Sequence, residues 1–453
     1  MSTRTARDPG TAAGTAERLP APRADRPATN VAIKPIPKPA PRRRSGATPS
    51  SATPTGRRYL QLVLVLGVLI ALGPLTIDMY LPALPTMADE LGASDAAAQF
   101  TLTGIMLGLA VGQLVIGPIS DAVGRRRPLL VGVVSHGLMS VLCALAPTIA
   151  VLSVVRVAQG FAGAAISVVA MAVVRDLFSG RRAAVLLSHL MLVLGVAPVL
   201  APTIGGYLLI VTDWRGIFWV LAASAVALVG VAWFGLRETL PVERRRPANL
   251  AATGRTYRTL LRDRTFVGLV LVAGLMMSSL FTYVSGSPFV LQDVYGLDAQ
   301  TFGLVFGANA LGLVLATQVN PLLLRRFSPQ HILSGALAVA MVSTSALVVA
   351  AVIRAPLWVL LTALLVTVSM SGFSFPNAPA LALSRHGEAA GTAAALLGSA
   401  QFGTASLVTP VVGALGTGSA VPMAGVMLVA VWLAAIVLVV LVRPWTLPVD
   451  VHA

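Results

Sequence analysis

The chain has 453 residues, of which 56% are hydrophobic and 11% charged, with a mean hydropathy of +0.83 and a formal net charge of +16. A soluble globular chain carries roughly 25% charge, so the composition excludes a water-soluble fold of this length and points to a bilayer as the solvent. The basic excess does not indicate nucleic acid as a partner: residues 1–58 hold 12 Lys/Arg against 3 Asp/Glu, the rest holds 21 against 14, and most of it falls in a tail and in loops between apolar runs.

Residues 1–58 are rich in Pro, Arg, Ala, Thr and Ser. Such a segment buries too little apolar surface to offset its ordering entropy, so it is expected to be a disordered cytoplasmic tail. Arg42, Arg43, Arg44, Arg57 and Arg58 would keep it near anionic lipid. Its apolar runs are too short for a signal-peptide core.

From Tyr59 onward, long apolar runs alternate with short polar breaks. The spans are 60–83, 96–118, 128–146, 148–173, 183–209, 216–236, 266–288, 299–322, 331–353, 357–382, 389–414 and 421–442. At 1.5 Å rise per residue each is long enough, or nearly so, to cross a hydrocarbon core of about 30 Å. Helices are the element these lengths allow. The longest break, 237–265, is charged and contains prolines, and it separates six spans from six. The expected organisation is therefore an N-terminal six-helix bundle (59–236), a central cytoplasmic loop (237–265), a C-terminal six-helix bundle (266–442) and a short tail (443–453). A 6+6 plan of this kind is how transporters built from two repeated bundles are arranged.

Basic residues set the orientation. With the N-terminus inside, 18 arginines beyond the tail fall on the inner side, while only Arg215 and Arg354 fall outside. Both termini are then cytoplasmic, in a multi-pass protein of the cell membrane.

Full charges within the spans are two: Asp78 in the first and Arg156 in the fourth. A charge at this depth costs several kcal/mol and needs a partner or a purpose. Counted from the same outer edge, Asp78 lies ~9 Å deep and Arg156 ~12 Å deep. The two are expected to pair, directly or through water, either as a proton-coupling element or as a static salt bridge that fixes packing. His136 and His189 also fall within spans, as satisfied neutral histidines or as proton relays. Cys143 is the only cysteine, which excludes an intrachain disulfide. With no nucleotide loop and no metal-ligand cluster, no cofactor is expected and the chain is not read as an enzyme.

The break after the second span reads Gly117-Pro118-Ile119-Ser120-Asp121-Ala122-Val123-Gly124-Arg125-Arg126-Arg127. Glycines there permit a tight turn and close helix approach, and the arginines can bind carboxylates or helix C-terminal carbonyls. This loop resembles the signature loop of the major facilitator superfamily. Arg156-Val157-Ala158-Gln159-Gly160-Phe161-Ala162-Gly163 resembles the superfamily's fourth-helix motif. Ala201-Pro202-Thr203-Ile204-Gly205-Gly206 resembles the end of the antiporter motif of its fifth helix, departing from it at Ala201. Ile77-Asp78-Met79-Tyr80-Leu81-Pro82-Ala83-Leu84-Pro85, Phe281-Thr282-Tyr283-Val284-Ser285-Gly286-Ser287-Pro288-Phe289-Val290 and Gly391-Thr392-Ala393-Ala394-Ala395-Leu396-Leu397-Gly398 are similar to segments of the Bcr/CflA drug-resistance subfamily.

The resemblance covers residues 59–442. It implies a major facilitator fold and export of hydrophobic drugs, such as bicyclomycin- or chloramphenicol-like compounds, in exchange for protons. It places Asp78 and Arg156 in proton coupling. Gly117, Asp121, Gly124, Arg125 and Arg126 would form an inner latch, and Pro202, Gly205 and Gly206 the helix-five motif. Tyr80, Tyr283, Ser287, Asn309, Asn377 and Gln401 lie beside helix bends or carry polar groups within spans, and are read as cavity-lining or, individually, as interhelical packing. Met106, Met276 and Met277 are read as an adaptable apolar surface or as plain core. The partners are a small molecule, protons and lipid, with a monomer expected. Export of an endogenous metabolite, or a membrane sensor that moves nothing, are the competing functions.

Overall fold

The computed structural model describes residues 56–178, 180–245, 250–386 and 389–446. The tail expected over 1–58 lies outside the described residues except for its last three, as do the last seven residues of the segment 443–453.

Among the described residues fourteen α-helices run in chain order: α1 (Arg57–Asp78), α2 (Leu84–Glu90), α3 (Asp95–Val123), α4 (Arg126–Ala144), α5 (Ile149–Leu177), α6 (Gly180–Leu208), α7 (Trp214–Gly235), α8 (Leu250–Leu260), α9 (Arg264–Pro288), α10 (Ala299–Leu323), α11 (Pro329–Val352), α12 (Leu357–Ser384), α13 (Ala390–Leu415) and α14 (Val421–Val437). Among the described residues there is no strand. Twelve spans among the described residues are long and apolar enough to cross a membrane. The first consists of α1 and α2 joined by a short 3₁₀ turn, and α8 lies in the central loop outside them. The protein is a multi-pass, all-α membrane protein of two six-helix halves.

Side chains start several spans. Ser94, Thr148, Asp213, Asp263 and Asp298 each accept a hydrogen bond from the first turn of the helix that follows, satisfying donors that a helix start leaves without partners. Within the first half the closest helix pair is α3 with α5. Gly104, Gly108 and Gly112, spaced one turn apart, face the backbone of Ser153, Val157 and Phe161. Lipid gives no hydrophobic drive for helices to associate, so this backbone-to-backbone approach through small residues supplies the packing.

The halves meet along two seams, α3 with α13 and α6 with α10. Both seams are tight at the end of the bundle opposite the α3–α4 loop. There a Cβ on Gly206 would stand 2.6 Å from the Ala299 carbonyl oxygen, and one on Gly303 would stand 2.7 Å from that of Pro202. Gln300 Nε2 donates to the Gly206 carbonyl at 2.9 Å, and Thr203 Oγ1 donates to the Gly303 carbonyl at 3.2 Å. On the other seam Gly413 abuts Ala96, and Thr417 donates to Asp95.

Candidate functional site

Below the closed seams a cavity of about 420 Å³ lies between the halves. It runs from Asp78 toward the arginine-rich end that carries the α3–α4 loop. Its walls come from α1, α3, α5 and α6 on one side and α9, α10, α12 and α13 on the other, and they are mostly Leu, Val, Met and Phe. Asp78 is the one charged side chain among the lining residues, and it is 7% exposed. It is also the residue at which α1 stops. The chain then turns through Met79 and Tyr80 into the prolines Pro82 and Pro85, whose rings cannot continue the α-helical ladder.

Arg156 does not meet Asp78. Among the described residues no ion pair joins them, so neither the direct pair nor the static salt bridge is formed. The guanidinium, fully buried, donates to the Thr76 carbonyl at 3.1 Å and to Gln159 Oε1 at 2.8 Å. Its flat faces lie 4.3 Å from the Tyr80 ring centre and 5.6 Å from that of Phe218, a cation–π setting. The reason is the break in α1: the turn after Asp78 lays Tyr80 over the guanidinium, while the Asp78 carboxyl stays on the cavity side. There it acts electrostatically on the Tyr283 hydroxyl across the cavity.

Of the polar residues expected in the cavity, Tyr283 lines it. Tyr283 stacks on Phe306 with ring centres 5.2 Å apart and accepts from Asn309 Nδ2 at 2.9 Å. Asn309 therefore stands behind the wall. Tyr80 is turned into the Arg156 cluster, where its hydroxyl meets Thr101 at 3.0 Å. Asn377 donates to Asn320 at 2.7 Å and to the Phe373 carbonyl at 2.8 Å. Ser287, which is buried, and Gln401, which is half-buried, are also absent from the lining. For Tyr80, Asn309 and Asn377 the reason is that a polar side chain in a bilayer finds a partner on a neighbouring helix. The residues missed include the polar Gln113 and Ser167, and Met171, Met191, Phe281, Phe306, Phe375 and Phe402, which composition alone does not separate from lipid-facing ones. Met277 lines the cavity, whereas Met106 and Met276 are core. His136 is buried against Thr76 and His189 is exposed.

Each glycine of the helix-five motif answers a neighbouring backbone. Gly205 faces the Met79 carbonyl at the broken end of α1, while Pro202 and Gly206 form the seam with α10.

At the arginine-rich end Gly124 ends α3 with φ +99°, a conformation that favours glycine. Arg125, nearly buried, pairs with Asp121 at 2.6 Å and with Asp176 at 2.9 Å, and it donates to Ser120 Oγ at 2.7 Å. Arg126 lies 4.9 Å from the Trp233 ring centre and donates to the Trp233 carbonyl. Glu238 accepts from the backbone N–H groups of Arg125, Arg126, Thr239 and Leu240. These partners belong to the first half and to the start of the central loop, and none to the second half. A Cβ on Gly117 would meet nothing within 4 Å, so the close helix approach expected of it is not made; its carbonyl accepts from the Ser120 hydroxyl at 3.0 Å. Asp176 and Glu238 were missed, although they are carboxylates at loop edges beside an arginine run.

Burial raises the Glu238 carboxyl, but the N–H groups of Leu240, Arg125, Arg126 and Thr239 outweigh it and hold the group below its ordinary value of 4.5. A depressed carboxylate stabilises the fold above its unfolded value, and this is lost as the pH falls through the lower folded value. Glu238→Gln is therefore expected to cost about 1 kcal/mol at neutral pH, since the group is largely solvent-screened. The difference from the parent should vanish in acid. Thermal unfolding in detergent at pH 7 and below pH 4 checks it; a gap that persists in acid would contradict the assignment.

The Major Facilitator Superfamily model matches residues 66–410. The chain is a member of the Major Facilitator Superfamily. It is 39% identical to the Uncharacterized MFS-type transporter YdgK of Bacillus subtilis (strain 168), over 83% of this chain and 94% of that one. It is 31% identical to the Bicyclomycin resistance protein homolog of Haemophilus influenzae, over 80% and 91%. In fold it is similar to the xylose transporter XylE from E. coli in a partially occluded inward open conformation, with a TM-score of 0.68 at 14% identity, covering 88% of this chain and all of that one. This Major Facilitator Superfamily member is a transporter, not an enzyme, with relatives named for drug resistance.

Proposed function

We propose that the protein exports hydrophobic or amphiphilic small molecules, bicyclomycin- or chloramphenicol-like compounds among them, in exchange for protons by alternating access. The observation that carries this reading is Asp78: one buried carboxyl in a mostly apolar cavity between two halves. Unpaired charge is expensive there, and a bound proton or a polar group of the cargo relieves it in turn. The resistance protein homologue supports an antibiotic as cargo. Arg156 holds the end of α1 from behind. The Gly117–Arg127 loop acts as the inner latch through Asp121 and Arg125. The protein works as a monomer in the cell membrane with both termini cytoplasmic, and the arginine-rich end faces the cytoplasm.

Everted membrane vesicles test this. An inward-acid gradient imposed on vesicles carrying the protein is expected to drive uptake of bicyclomycin or chloramphenicol, and an uncoupler to abolish it. Cells expressing the protein should also show raised inhibitory concentrations for the same compounds. Flux indifferent to the pH gradient would rule out proton exchange, and unchanged inhibitory concentrations across such a panel would rule out drug export.

A further inference from the structure

Behind Asp78, on the side of α1 away from the cavity, five residues close a ring of hydrogen bonds across α1, α4 and α5, through side chains and two backbone carbonyls. Thr76 lies two residues before Asp78, so at 100° per residue the two point to nearly opposite sides of α1. The Thr76 hydroxyl has one hydrogen, and it goes to the Leu72 carbonyl at 2.6 Å. The contact between Thr76 Oγ1 and His136 Nε2 at 2.9 Å must then be a donation from a protonated Nε2. The Thr76 carbonyl accepts from Arg156, and Arg156 also donates to Gln159. Gln159 Nε2 donates to Ser140 Oγ at 2.8 Å, and Ser140 Oγ donates to the His136 carbonyl at 2.8 Å. Each bond of the ring thus has a donor and an acceptor, and both the hydroxyl and the carbonyl of Thr76 are held.

We infer that His136 is a positioning residue for proton exchange at Asp78: its neutral Nε2–H, acting through Thr76, fixes the end of α1 that aims the carboxyl into the cavity, and His136 itself carries no transported proton. This rests on the exchange reading above. The surroundings argue against a relay. His136 is 1% exposed, and a second proton on its ring would stand a cation beside Arg156, whose charge already acts on it. The other ionisable groups near this cluster are Cys143 on the same helix, Tyr80 after α1, and Asp78 with Tyr283 facing it across the cavity. Helix α7, packed on α4, contributes only Arg215, which is paired with Glu90 at the far end. None of these supplies a carboxylate hydrogen-bonded to the His136 ring among the described residues. Its Nδ1 has no protein partner, which fits a neutral ring with a bare lone pair. His136, Thr76 and Gln159 also line a side chamber of about 30 Å³ that shares Ile70, Gly73 and Ser167 with the main cavity, large enough for about one or two waters.

The test reads Asp78 directly and needs no known cargo. A fluorescent hydrophobic carbodiimide labels protonated carboxyls, and mass spectrometry of the full chain in detergent gives the pH profile of labelling at Asp78. An amide nitrogen in His136→Gln reaches the place of Nε2, whereas in His136→Asn it reaches only that of Nδ1. We expect the Gln variant to keep the parent midpoint. We expect His136→Asn and His136→Leu to move it by about one pH unit, a tenfold change in the Asp78 equilibrium. Thr76→Val, which keeps the shape and removes the acceptor, should move it as far, and Thr76→Val with His136→Leu no further than either alone. An unmoved midpoint in both His136→Asn and Thr76→Val would overturn the inference. Loss of pH-gradient-driven flux in the Gln variant would also overturn it, because that outcome means the ring carries a proton. Flux indifferent to pH in the parent protein would instead sink the exchange reading and leave the labelling result standing on its own.

Discussion

Replacing Asp78 by Asn is expected to uncouple the protein: substrate moves down its own gradient, and no protons move with it. Asn keeps the size of the side chain and removes the exchangeable proton. The cavity offers no second ionisable carboxyl to take over, since Asp78 is the one charged residue in its lining. In the parent protein, competition of one proton with substrate at this carboxyl makes apparent substrate affinity fall by up to about tenfold per unit of acidification. In Asp78→Asn that dependence should flatten while binding itself survives, because the Phe and Met walls are untouched. Proteoliposomes with a pH-sensitive dye inside measure both quantities. Substrate-driven proton movement equal to the parent's would show that the exchangeable proton sits elsewhere.

A side chain at the far seam should shift the conformational equilibrium without unfolding either half. In Gly206→Val the new Cβ meets the Ala299 carbonyl of α10, and in Gly303→Val it meets that of Pro202 on α6. Backbone cannot move aside as a flexible side chain can, so the overpacking costs about 1–3 kcal/mol. The clash exists only while the seam is closed. That strain should therefore raise the population open at this end by about 5–150-fold. Spin labels on Val211→Cys and Gly418→Cys, exposed residues of the two halves at this end, would show a longer-distance population grow in both variants. Cys143 is buried and would not interfere. Distance distributions identical to the parent's would mean that this seam does not gate the cavity.

Much of the architecture is legible in the sequence because the bilayer leaves few alternatives. Apolar runs of twenty or more residues must be helices, and arginine placement separates one face from the other. The helix ends moved by a few residues, and α8 appeared inside the central loop. Asp78 and Arg156 stood out for the same reason, as charges where charge is costly. Their separation could not be read, because it depends on α1 stopping at Asp78 and on the direction in which Tyr80 then turns. Two residues of unwinding decide which neighbour the guanidinium meets. The cavity wall was misread from the same cause in reverse. Asn309 and Asn377 looked like wall residues because they are polar, and they turned to Tyr283 and Asn320 because they are polar. Nothing in the sequence separates Phe306 and Phe402 from lipid-facing residues, yet they line the cavity.

The apolar wall has a consequence for what the protein can discriminate. A molecule arriving from water gains free energy on entering such a cavity, about 25 cal/mol for each Å² of apolar surface it hides. A molecule already dissolved among acyl chains has hidden that surface beforehand and gains almost none of it, much as lipid-exposed helices gain nothing hydrophobic from touching each other. For lipophilic cargo the reference phase is the membrane. Affinity measured against the aqueous concentration would then largely report partitioning, and selectivity among equally oily molecules would be left to fit against the Phe and Met side chains and to the contact made with Asp78.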